Sequence, residues 1–536
     1  MNALKAGGLS STMAKKTSTI PVIDLFAGPG GLGEGFSRYP LEGGKRFKIG
    51  LSIEKDPSAH KTLTLRAFFR QFEEGKAPDE YYQYLRGEIL KDELYGAFPA
   101  QAKAAEEEAQ LLTLGKQDPN KLIQRKLRCT DHWVLIGGPP CQAYSLVGRS
   151  KILGGIKREP DETEEVFNRR RLATFDGDPR HQLYREYLAI IGKHWPSVFV
   201  MENVRGILSA KHNGERIFPK ILKDLSNPAE VFPGKRRRYK YRIYSLTVPS
   251  DGNPLEQEPS DFIIHSEQYG IPQARHRVIL LGIRDDLDCG KIPLLKPCGQ
   301  RTVEETISDL PKLTPGVTKQ NGMRAYDALA ELLDVSLSRG ASGDFFDFEV
   351  IHRLERAIKN ARRREDRGSR YKSLEEPLDD WWFGDPKLNG VCNHETRSHI
   401  KEDLWRYAFA SCYAEQTGAS PQLRDFPKAL LPNHANVKEA IRGQKFGDRF
   451  RVQVANRPSS TITSHISKDG HYFIHYDPRQ YRSLTVREAA RLQTFPDNYF
   501  FEGTRTSQYH QVGNAVPPLL AYKIAGVVSK LIDSIT

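Results

Sequence analysis

The chain has 536 residues, of which 38% are hydrophobic and 27% are charged, which is enough for two or three globular domains. Its formal net charge of +13 favours a polyanionic partner, with nucleic acid first, although charge alone is a weak signal. No apolar run approaches the roughly 18 residues of a membrane span, and the N-terminus lacks the apolar core of a signal peptide. The sequence therefore predicts a cytoplasmic protein with no membrane partner.

Cysteine usage points the same way. The chain contains six cysteines, none of them in a Cys-x-x-Cys pair. So few thiols in so long a chain do not make a disulfide framework, which suits a reducing compartment. The spacing also lacks a zinc signature, so we predict no metal site.

The N-terminal half alternates between predicted strands and helices, after a disordered lead-in over residues 1–18. Apolar runs predict strands at 20–26, 47–53, near 133–136, near 197–201 and near 277–283. The intervening stretches read as helices, including 58–70 and 100–113. This alternation predicts an α/β fold in which helices cover both faces of a parallel sheet.

A glycine-rich turn, Ala-Gly-Pro-Gly-Gly (27–31), follows the first predicted strand. Such a turn lets a ligand approach backbone N–H groups at the start of a helix. Glu54 ends the second strand, where an acidic residue binds the hydroxyls of a ribose, and Phe26 is placed to pack against an adenine. The crowded glycines and the proline differ from Gly-x-Gly-x-x-Gly, which favours a nucleoside with a short tail over a dinucleotide. The alternative is a tight turn that binds no ligand.

A single thiol, Cys141, stands in the run Gly-Gly-Pro-Pro-Cys-Gln (137–142), directly after a predicted buried strand. That edge of an open α/β sheet is where ligands bind. The two prolines restrict the backbone and so hold the sulfur in one orientation. Cys141 is either a nucleophile or a small buried apolar residue, and the spacing alone does not decide between them.

Other polar residues stand at element boundaries. Glu202 ends an apolar run at the same edge and is either a proton donor or a surface or helix-capping residue. Arg275 and Arg277 alternate, which in a strand places both side chains on one face. They hold either an anion or a polar ring edge, or they only line a basic strand. Asn514 precedes a predicted helix and either reaches a ligand or caps that helix.

The periodicity weakens after about residue 290 and returns at about 455. The sequence therefore predicts one domain over 19–290, a second, smaller and mostly irregular domain over 291–450, and a return to the first domain over 451–536. The last part includes a closing helix at about 517–532.

Taken together, six segments resemble the DNA cytosine-5 methyltransferases, in the order of that family. They are Asp-Leu-Phe-Ala-Gly-Pro-Gly-Gly (24–31), Gly-Pro-Pro-Cys-Gln (138–142), Glu-Asn-Val (202–204), Gln-Ala-Arg-His-Arg (273–277), the run from Arg-Ser-Leu-Thr to Thr-Phe-Pro (482–496) and Gly-Asn-Ala-Val-Pro-Pro (513–518). The resemblance implies a Rossmann-like methyltransferase sheet, S-adenosylmethionine as the methyl donor and a cytosine in duplex DNA as the substrate. It also implies that 291–450 is the target recognition domain and that the closing helix packs beside the first glycine turn.

The resemblance assigns roles to individual residues. It implies a cofactor site lined by Phe26, Gly28, Gly30, Glu54, Pro140 and Asn514. Cys141 would be the nucleophile, Glu202 would protonate cytosine nitrogen 3, and Arg277 would hold the base oxygen with Arg275 nearby. The family's aspartate for the adenine amino group lacks a clear match, and Glu88 is the nearest candidate. The stretch 90–130 is longer than a minimal family member needs.

Three alternatives remain at this point. An RNA cytosine-5 methyltransferase is disfavoured by the long basic second domain, since a reader of duplex DNA needs such a module. An inactive DNA-binding regulatory subunit is disfavoured by the joint presence of Cys141, Glu202 and Arg277. A nucleotide-dependent oxidoreductase is disfavoured by the crowded glycine turn. The family further suggests a cognate restriction enzyme or other defence-system components as partners.

Overall fold

A computed structural model describes most of the chain. The described residues are 19–41, 44–128, 130–140, 162–167, 183–212, 215–231, 239–318, 323–339, 348–361, 365–376, 378–433, 437 and 447–535. The predicted lead-in over residues 1–18 and Cys141 lie outside them.

The strands are numbered in chain order. They are β1 (Ile20–Leu25), β2 (Pro40–Leu41), β3 (Gly44–Lys45), β4 (Phe47–Glu54), β5 (Ala109–Leu111), β6 (Val134–Gly137), β7 (Val198–Val204), β8 (Lys211–His212), β9 (Glu215–Arg216), β10 (Tyr241–Tyr244), β11 (Ile263–His265), β12 (Gln273–Ala274), β13 (His276–Arg284), β14 (Gly316–Val317), β15 (Gly368–Ser373), β16 (Gly390–Glu395), β17 (Ser398–His399) and β18 (Ser459–Ser460).

The helices follow the same rule. They are α1 (Gly31–Ser37), α2 (Pro57–Arg70), α3 (Asp79–Arg86), α4 (Lys91–Ala97), α5 (Pro99–Glu108), α6 (Asn120–Lys126), α7 (Leu183–His194), α8 (Gly206–Ser209), α9 (Ile217–Ser226), α10 (Pro228–Val231), α11 (Val303–Ile307), α12 (Ala325–Arg339), α13 (Phe348–Ala361), α14 (Lys401–Thr417), α15 (Val486–Leu492), α16 (Arg505–Asn514) and α17 (Pro518–Ile535).

An eight-stranded sheet forms the centre of the molecule. Its order is β10-β13-β7-β6-β1-β4-β5, and β11 pairs with β13 outside that path. Five neighbouring strands run parallel, in the sheet order β5, β4, β1, β6 and β7. Strand β13 is antiparallel to β7, and β10 and β11 are antiparallel to β13. The α/β fold is confirmed, but the expectation of a wholly parallel sheet is wrong at this end. A continuous apolar run reads the same in either strand direction, so the sequence pattern cannot distinguish the two.

Both faces of the sheet are buried. Along β1, Ile20 and Val22 face a hydrophobic cluster that includes α1 and α17, whereas Ile23 and Leu25 face the cluster on the opposite side. Burial on both faces explains why these strands read as unbroken apolar runs rather than as alternating ones.

The stretch 90–130, which had no assigned role, contributes to the sheet. The helix predicted at 100–113 ends at Glu108, and β5 follows at once and pairs with β4 as an edge strand. Helix α5 packs on α2. The stretch therefore supplies one sheet edge together with its cover.

The interval 291–450 contains two kinds of structure. Helices α12, α13 and α14 pack around a hydrophobic cluster of their own, so this part is helical rather than mostly irregular. Trp382 and Phe383, by contrast, are buried in the cluster beneath the sheet, where the Trp382 indole Nε1 donates to the Thr494 carbonyl oxygen at 2.7 Å. Residues 303–310 also pack on α15.

The closing helix α17 packs on α1. A Cβ on Gly31 would overlap the Val516 carbonyl oxygen, and a Cβ on Gly35 would lie 2.5 Å from the Tyr522 nitrogen, so this close approach requires glycine. The C-terminal segment Arg505–Ile535 is apolar enough to cross a bilayer, but 78% of its most apolar window is buried in the protein, as in a core helix.

Candidate active site

The carboxyl ends of β1, β4, β6 and β7 meet at one edge of the sheet, where α/β proteins bind ligands. The glycine turn follows β1, Glu54 ends β4, the loop that leads to Cys141 follows β6, and Glu202 lies near the end of β7.

The glycine turn is held open by backbone geometry that only glycine adopts easily. Gly28 and Gly30 have φ angles of 58° and 99°, both in the left-handed region. The Gly28 N–H donates to Glu54 Oε2 at 2.8 Å, and the Ala27 N–H donates to the Ile53 carbonyl at 3.0 Å. A Cβ on Gly28 would meet no atom within 4 Å, so space for a ligand lies beside the turn.

Glu54 is fixed by the backbone that follows it. Its Oε1 accepts from the Lys55 and Asp56 N–H groups at 2.8 and 2.7 Å. The Asp56 carboxylate in turn caps α2 by accepting from the Ser58 and Ala59 N–H groups, with Pro57 in the first helical turn. A carboxylate offers about four acceptor sites. The three bonds to Glu54 therefore leave capacity for a ribose hydroxyl.

The loop after β6 lies directly against Glu202. A Cβ on Gly138 would come within 2.7 Å of Glu202 Oε2, and Asn203 Nδ2 donates to the Pro139 carbonyl at 3.1 Å. Pro140 is half-buried, and its neighbour Cys141 lies outside the described residues. Glu202 and Asn203, neighbours on β7, thus both lie against the loop that precedes Cys141.

Glu202 forms an ion pair with Arg277 across β7 and β13. Arg277 Nε lies 2.9 Å from Glu202 Oε1, and the two side chains are 13% and 14% exposed. Arg277 also donates to the His276 carbonyl at 2.9 Å. Burial lowers the pKa of Arg277, and the negative charge of Glu202 opposes that shift. The Arg277 guanidinium orients the Glu202 carboxylate beside Gly138. A buried, ion-paired carboxylate of this kind differs from a surface or helix-capping glutamate.

Arg275 occupies a different setting. It lies between β12 and β13, so the expected placement of both arginines on one face of a continuous strand does not hold. Its guanidinium donates to the carbonyl oxygens of Ile462 at 2.8 Å and Gly513 at 3.3 Å. Arg275 is 3% exposed, and its hydrogen bonds connect the start of β13 to the C-terminal segment that contains Ile462 and Gly513.

The comparisons with known proteins agree with this geometry. The model of the family described as C-5 cytosine-specific DNA methylase matches residues 113–228 and 260–530. The chain belongs to this family. It is 32% identical over 539 residues to the type II methyltransferase M.Bpa9945I of Bacillus paralicheniformis, which covers 96% of this chain and 99% of the relative.

Two further matches are more distant. The DNA (cytosine-5-)-methyltransferase M.ApeKI of Aeropyrum pernix is 27% identical over 467 residues, covering 80% of this chain and 87% of the relative. A solved structure of a putative DNA modification methyltransferase encoded within a prophage of E. coli aligns with a TM-score of 0.49 and 18% identity, covering 96% of this chain and all of the other. The chain is thus a DNA (cytosine-5-)-methyltransferase, and the family, fold and enzyme class expected from the sequence are confirmed.

Two predicted site residues of this methylase need comment. Glu88 follows α3, is exposed, and pairs with Arg86 at 2.6 Å. The residue that directly follows the strand next to β4 is instead Leu112, whose N–H donates to the Glu54 carbonyl oxygen at 3.0 Å. The structure does not group Glu88 with the glycine turn. Asn514 is exposed and ends α16, so it does not cap α17, which begins at Pro518. It lies two residues before Val516, which contacts Gly31.

One residue near this site of the methylase escaped the sequence reasoning. Asp24 is fully buried on β1, near the Gly33 N–H, and neither carboxylate oxygen makes a well-formed hydrogen bond within the described residues. Burial raises the pKa of its carboxyl to about 8, while the charge of Arg70 opposes the shift and that of Glu54 adds to it. An acidic residue in an otherwise apolar strand, directly before a glycine turn, is the signal that could have singled it out.

Proposed function

We propose that Cys141 attacks the target cytosine, that Glu202 protonates it, and that Arg277 holds Glu202 and the base in place, with S-adenosylmethionine as the methyl donor. The observation that supports this most is the Glu202–Arg277 ion pair, 2.9 Å long, packed against the loop that leads to Cys141. The roles themselves come from the resemblance to the family.

The residues at the sheet edge fit a positively charged nucleoside cofactor. Open space lies beside Gly28, and Glu54 stands at the position of a ribose ligand. Phe26, Gly30, Pro140 and Asn514 would complete the site. When bound, S-adenosylmethionine supplies an electrophilic methyl group on a sulfonium centre.

The protein's own residues would activate the base. The Cys141 thiolate bonds to carbon 6 of cytosine as the double bond to carbon 5 opens, and Glu202 gives a proton to nitrogen 3. Electron density thereby collects on carbon 5. Once carbon 5 carries the methyl group, a base removes the carbon 5 proton, the carbon 5–carbon 6 double bond re-forms as the Cys141 thiolate leaves, and nitrogen 3 returns its proton to Glu202. Arg275, whose guanidinium donates to the carbonyl oxygens of Ile462 and Gly513, would act by positioning β13 and its Arg277.

The target base must leave the duplex before it can reach Cys141, at a cost of a few kcal/mol. We propose that duplex DNA lies along the edge between the sheet and the helical unit of α12, α13 and α14, and that this unit reads the sequence. Strand β18 pairs with β12 just before Arg275, which brings the segment after residue 450 next to β13. The recognition unit would then exclude the segment around Trp382, although 291–450 includes it.

The type II names of the relatives suggest that a cognate restriction enzyme accompanies the protein. We propose that it protects chromosomal DNA in the cytoplasm against such an enzyme. Components of another defence system are the alternative partners to such a restriction enzyme.

Trapping with a fluorinated substrate tests the proposal. A long PCR product made with 5-fluoro-dCTP offers many sequence contexts and cannot release its carbon 5 substituent. The wild-type enzyme should form a denaturation-resistant adduct that peptide mapping places at residue 141. C141S should form none and lose methyl transfer while still binding S-adenosylmethionine in calorimetry. C298S, which changes an exposed cysteine, should behave as wild type. An active preparation that forms no adduct, or an active C141S, would overturn the assignment.

A further inference from the structure

Three side chains outside the methyl-transfer site bring metal-binding atoms together. His265 is the last residue of β11, Glu267 lies in the 3-10 turn Ser266–Tyr269, and His276 begins β13. The register of the antiparallel pair places His265 directly opposite His276, and their ring centroids are 4.1 Å apart. One donor atom from each of the three residues lies within 4.8 Å of the others.

The spacing suits a tetrahedral ion. Donor atoms about 2.0–2.1 Å from a tetrahedral zinc ion are themselves about 3.4 Å apart. Glu267 Oε1 lies 2.9 Å from His276 Nε2 and 3.8 Å from His265 Nδ1, and these two distances bracket that value. Small side-chain rotations would bring all three atoms to bonding distance.

Glu267 supplies a second, independent observation. Its other carboxylate oxygen, Oε2, is buried and has no hydrogen-bond partner among the described residues. An unsatisfied buried acceptor is costly, and a cation bound to the same carboxylate would neutralise the negative charge that Oε2 shares with Oε1.

We infer that His265, Glu267 and His276 form a binding site for a divalent transition-metal ion, for which Zn²⁺ is the best match. Two imidazoles and one carboxylate are a donor set of open zinc sites, in which water takes the fourth position. The His265 and His276 side chains are 42% and 25% exposed, which leaves a path for the ion and for that water.

Arg205 would oppose the ion. Its Nη1 donates to His276 Nδ1 at 3.4 Å, so the ring proton stands on Nε2, from which it is donated to Glu267. Metal binding at Nε2 would move that proton to Nδ1, where it conflicts with the Arg205 donor. The ion must therefore displace Arg205, which follows β7, and it would bind beside Arg277. Binding of the metal ion is thus expected to change the geometry of the Glu202–Arg277 ion pair.

Calorimetric titration of Zn²⁺ into the metal-free full-length enzyme tests the inference. The wild type should bind one ion per chain, H265Q should bind at least about tenfold more weakly, and R205Q should bind several-fold more tightly. H352Q is the matched control, since His352 forms a two-residue pair with Glu355 on an exposed helix and should not contribute. Circular dichroism checks that each variant is folded.

Cobalt(II) gives a second readout that depends on coordination rather than on stability. The wild type should show the intense visible bands of a tetrahedral ion, and H265Q should lose them while H352Q keeps them. The inference is overturned if the wild type binds no ion, or if H265Q and H352Q bind Zn²⁺ alike.

Discussion

At the residue scale, the contact between Gly138 and Glu202 shows how the Glu202 carboxylate of this methyltransferase is held in place. A side chain at position 138 would come within 2.7 Å of the Glu202 carboxylate, so the loop and the acid hold each other in register. Arg277 fixes the other oxygen at 2.9 Å. The Glu202 carboxylate is thus bounded by Gly138 on one side and by Arg277 on the other.

We expect E202Q to lose turnover rather than substrate affinity. Glutamine keeps an oxygen for Arg277 but cannot deliver a proton to cytosine, so kcat should fall by about 100-fold or more. The KM for DNA should change little, as measured by tritiated methyl transfer. E74Q, at an exposed glutamate, is the control. If E202Q kept most of its kcat, Glu202 would not be the proton donor.

Sequence reasoning reached the residues that end strands and missed those that depend on three-dimensional contacts. Glu54 and Glu202 were found because the carboxyl ends of parallel strands share one edge. Glu88 is the nearest acid in the sequence after the second predicted helix, but the strand beside β4 starts only at Ala109. His265 and His276 are joined by strand register, which no local pattern reveals. Arg275 was grouped with Arg277 because the break between β12 and β13 leaves no mark in the alternation.

At the scale of elements, the contact between α1 and α17 depends on small residues. Gly35 is buried on α1, and a Cβ there would lie 2.5 Å from both the Ala521 Cβ and the Tyr522 nitrogen. The alternative to glycine is separation of the two helices. The closing helix α17 therefore packs closely on the helix that follows the glycine turn.

We expect G35A to destabilise the protein by about 1–3 kcal/mol, since overpacking forces the helices apart. G96A is the matched control, because Gly96 lies in helix α4 and a Cβ there would meet no atom within 4 Å. Alanine should stabilise that helix by up to about 1 kcal/mol. Denaturant unfolding measures both. Equal effects of the two substitutions would contradict the packing argument.

The strands near the site were predictable because each is a short apolar run that ends at a turn or a polar residue. The direction of β13 was not, since an apolar run carries no polarity. Helix α13 carries a clear amphipathic pattern that predicts a helix, whereas α14 is buried more widely than one stripe and so lacks such a pattern. Tertiary packing, not local pattern, sets a helix such as α14.

At the scale of the whole molecule, two buried histidines, His394 and His475, lie against α15 or the residue that precedes it. His394 contacts the Pro311 carbonyl at 2.8 Å and the Thr485 hydroxyl at 3.0 Å. His475 lies 3.6 Å from Glu488, which also pairs with Arg482. Burial lowers the pKa of both histidines to about 4, although Glu488 opposes the shift. Both are neutral in the folded protein near pH 7.

We expect stability to fall as the pH drops from about 6.5 to about 4. The unfolded chain takes up protons on these histidines near pH 6.5, whereas the folded protein does so only near pH 4, so protonation favours unfolding across that window. Above it the contribution to stability is complete. Urea unfolding at pH 7, 6 and 5 should show this slope. H475Q should reduce the slope, and H352Q, at an exposed histidine, should not; identical slopes in all three proteins would refute the claim.

The docking of α17 on α1 has a consequence for timing. About 480 residues lie between the two helices in the chain, so at about 5–20 residues per second the ribosome needs roughly 25–100 s to make the second after the first. Throughout that interval the nascent chain has its glycine turn uncovered. A molecule still being translated is therefore not expected to modify the chromosome, and each new copy should become active only when its synthesis is almost complete.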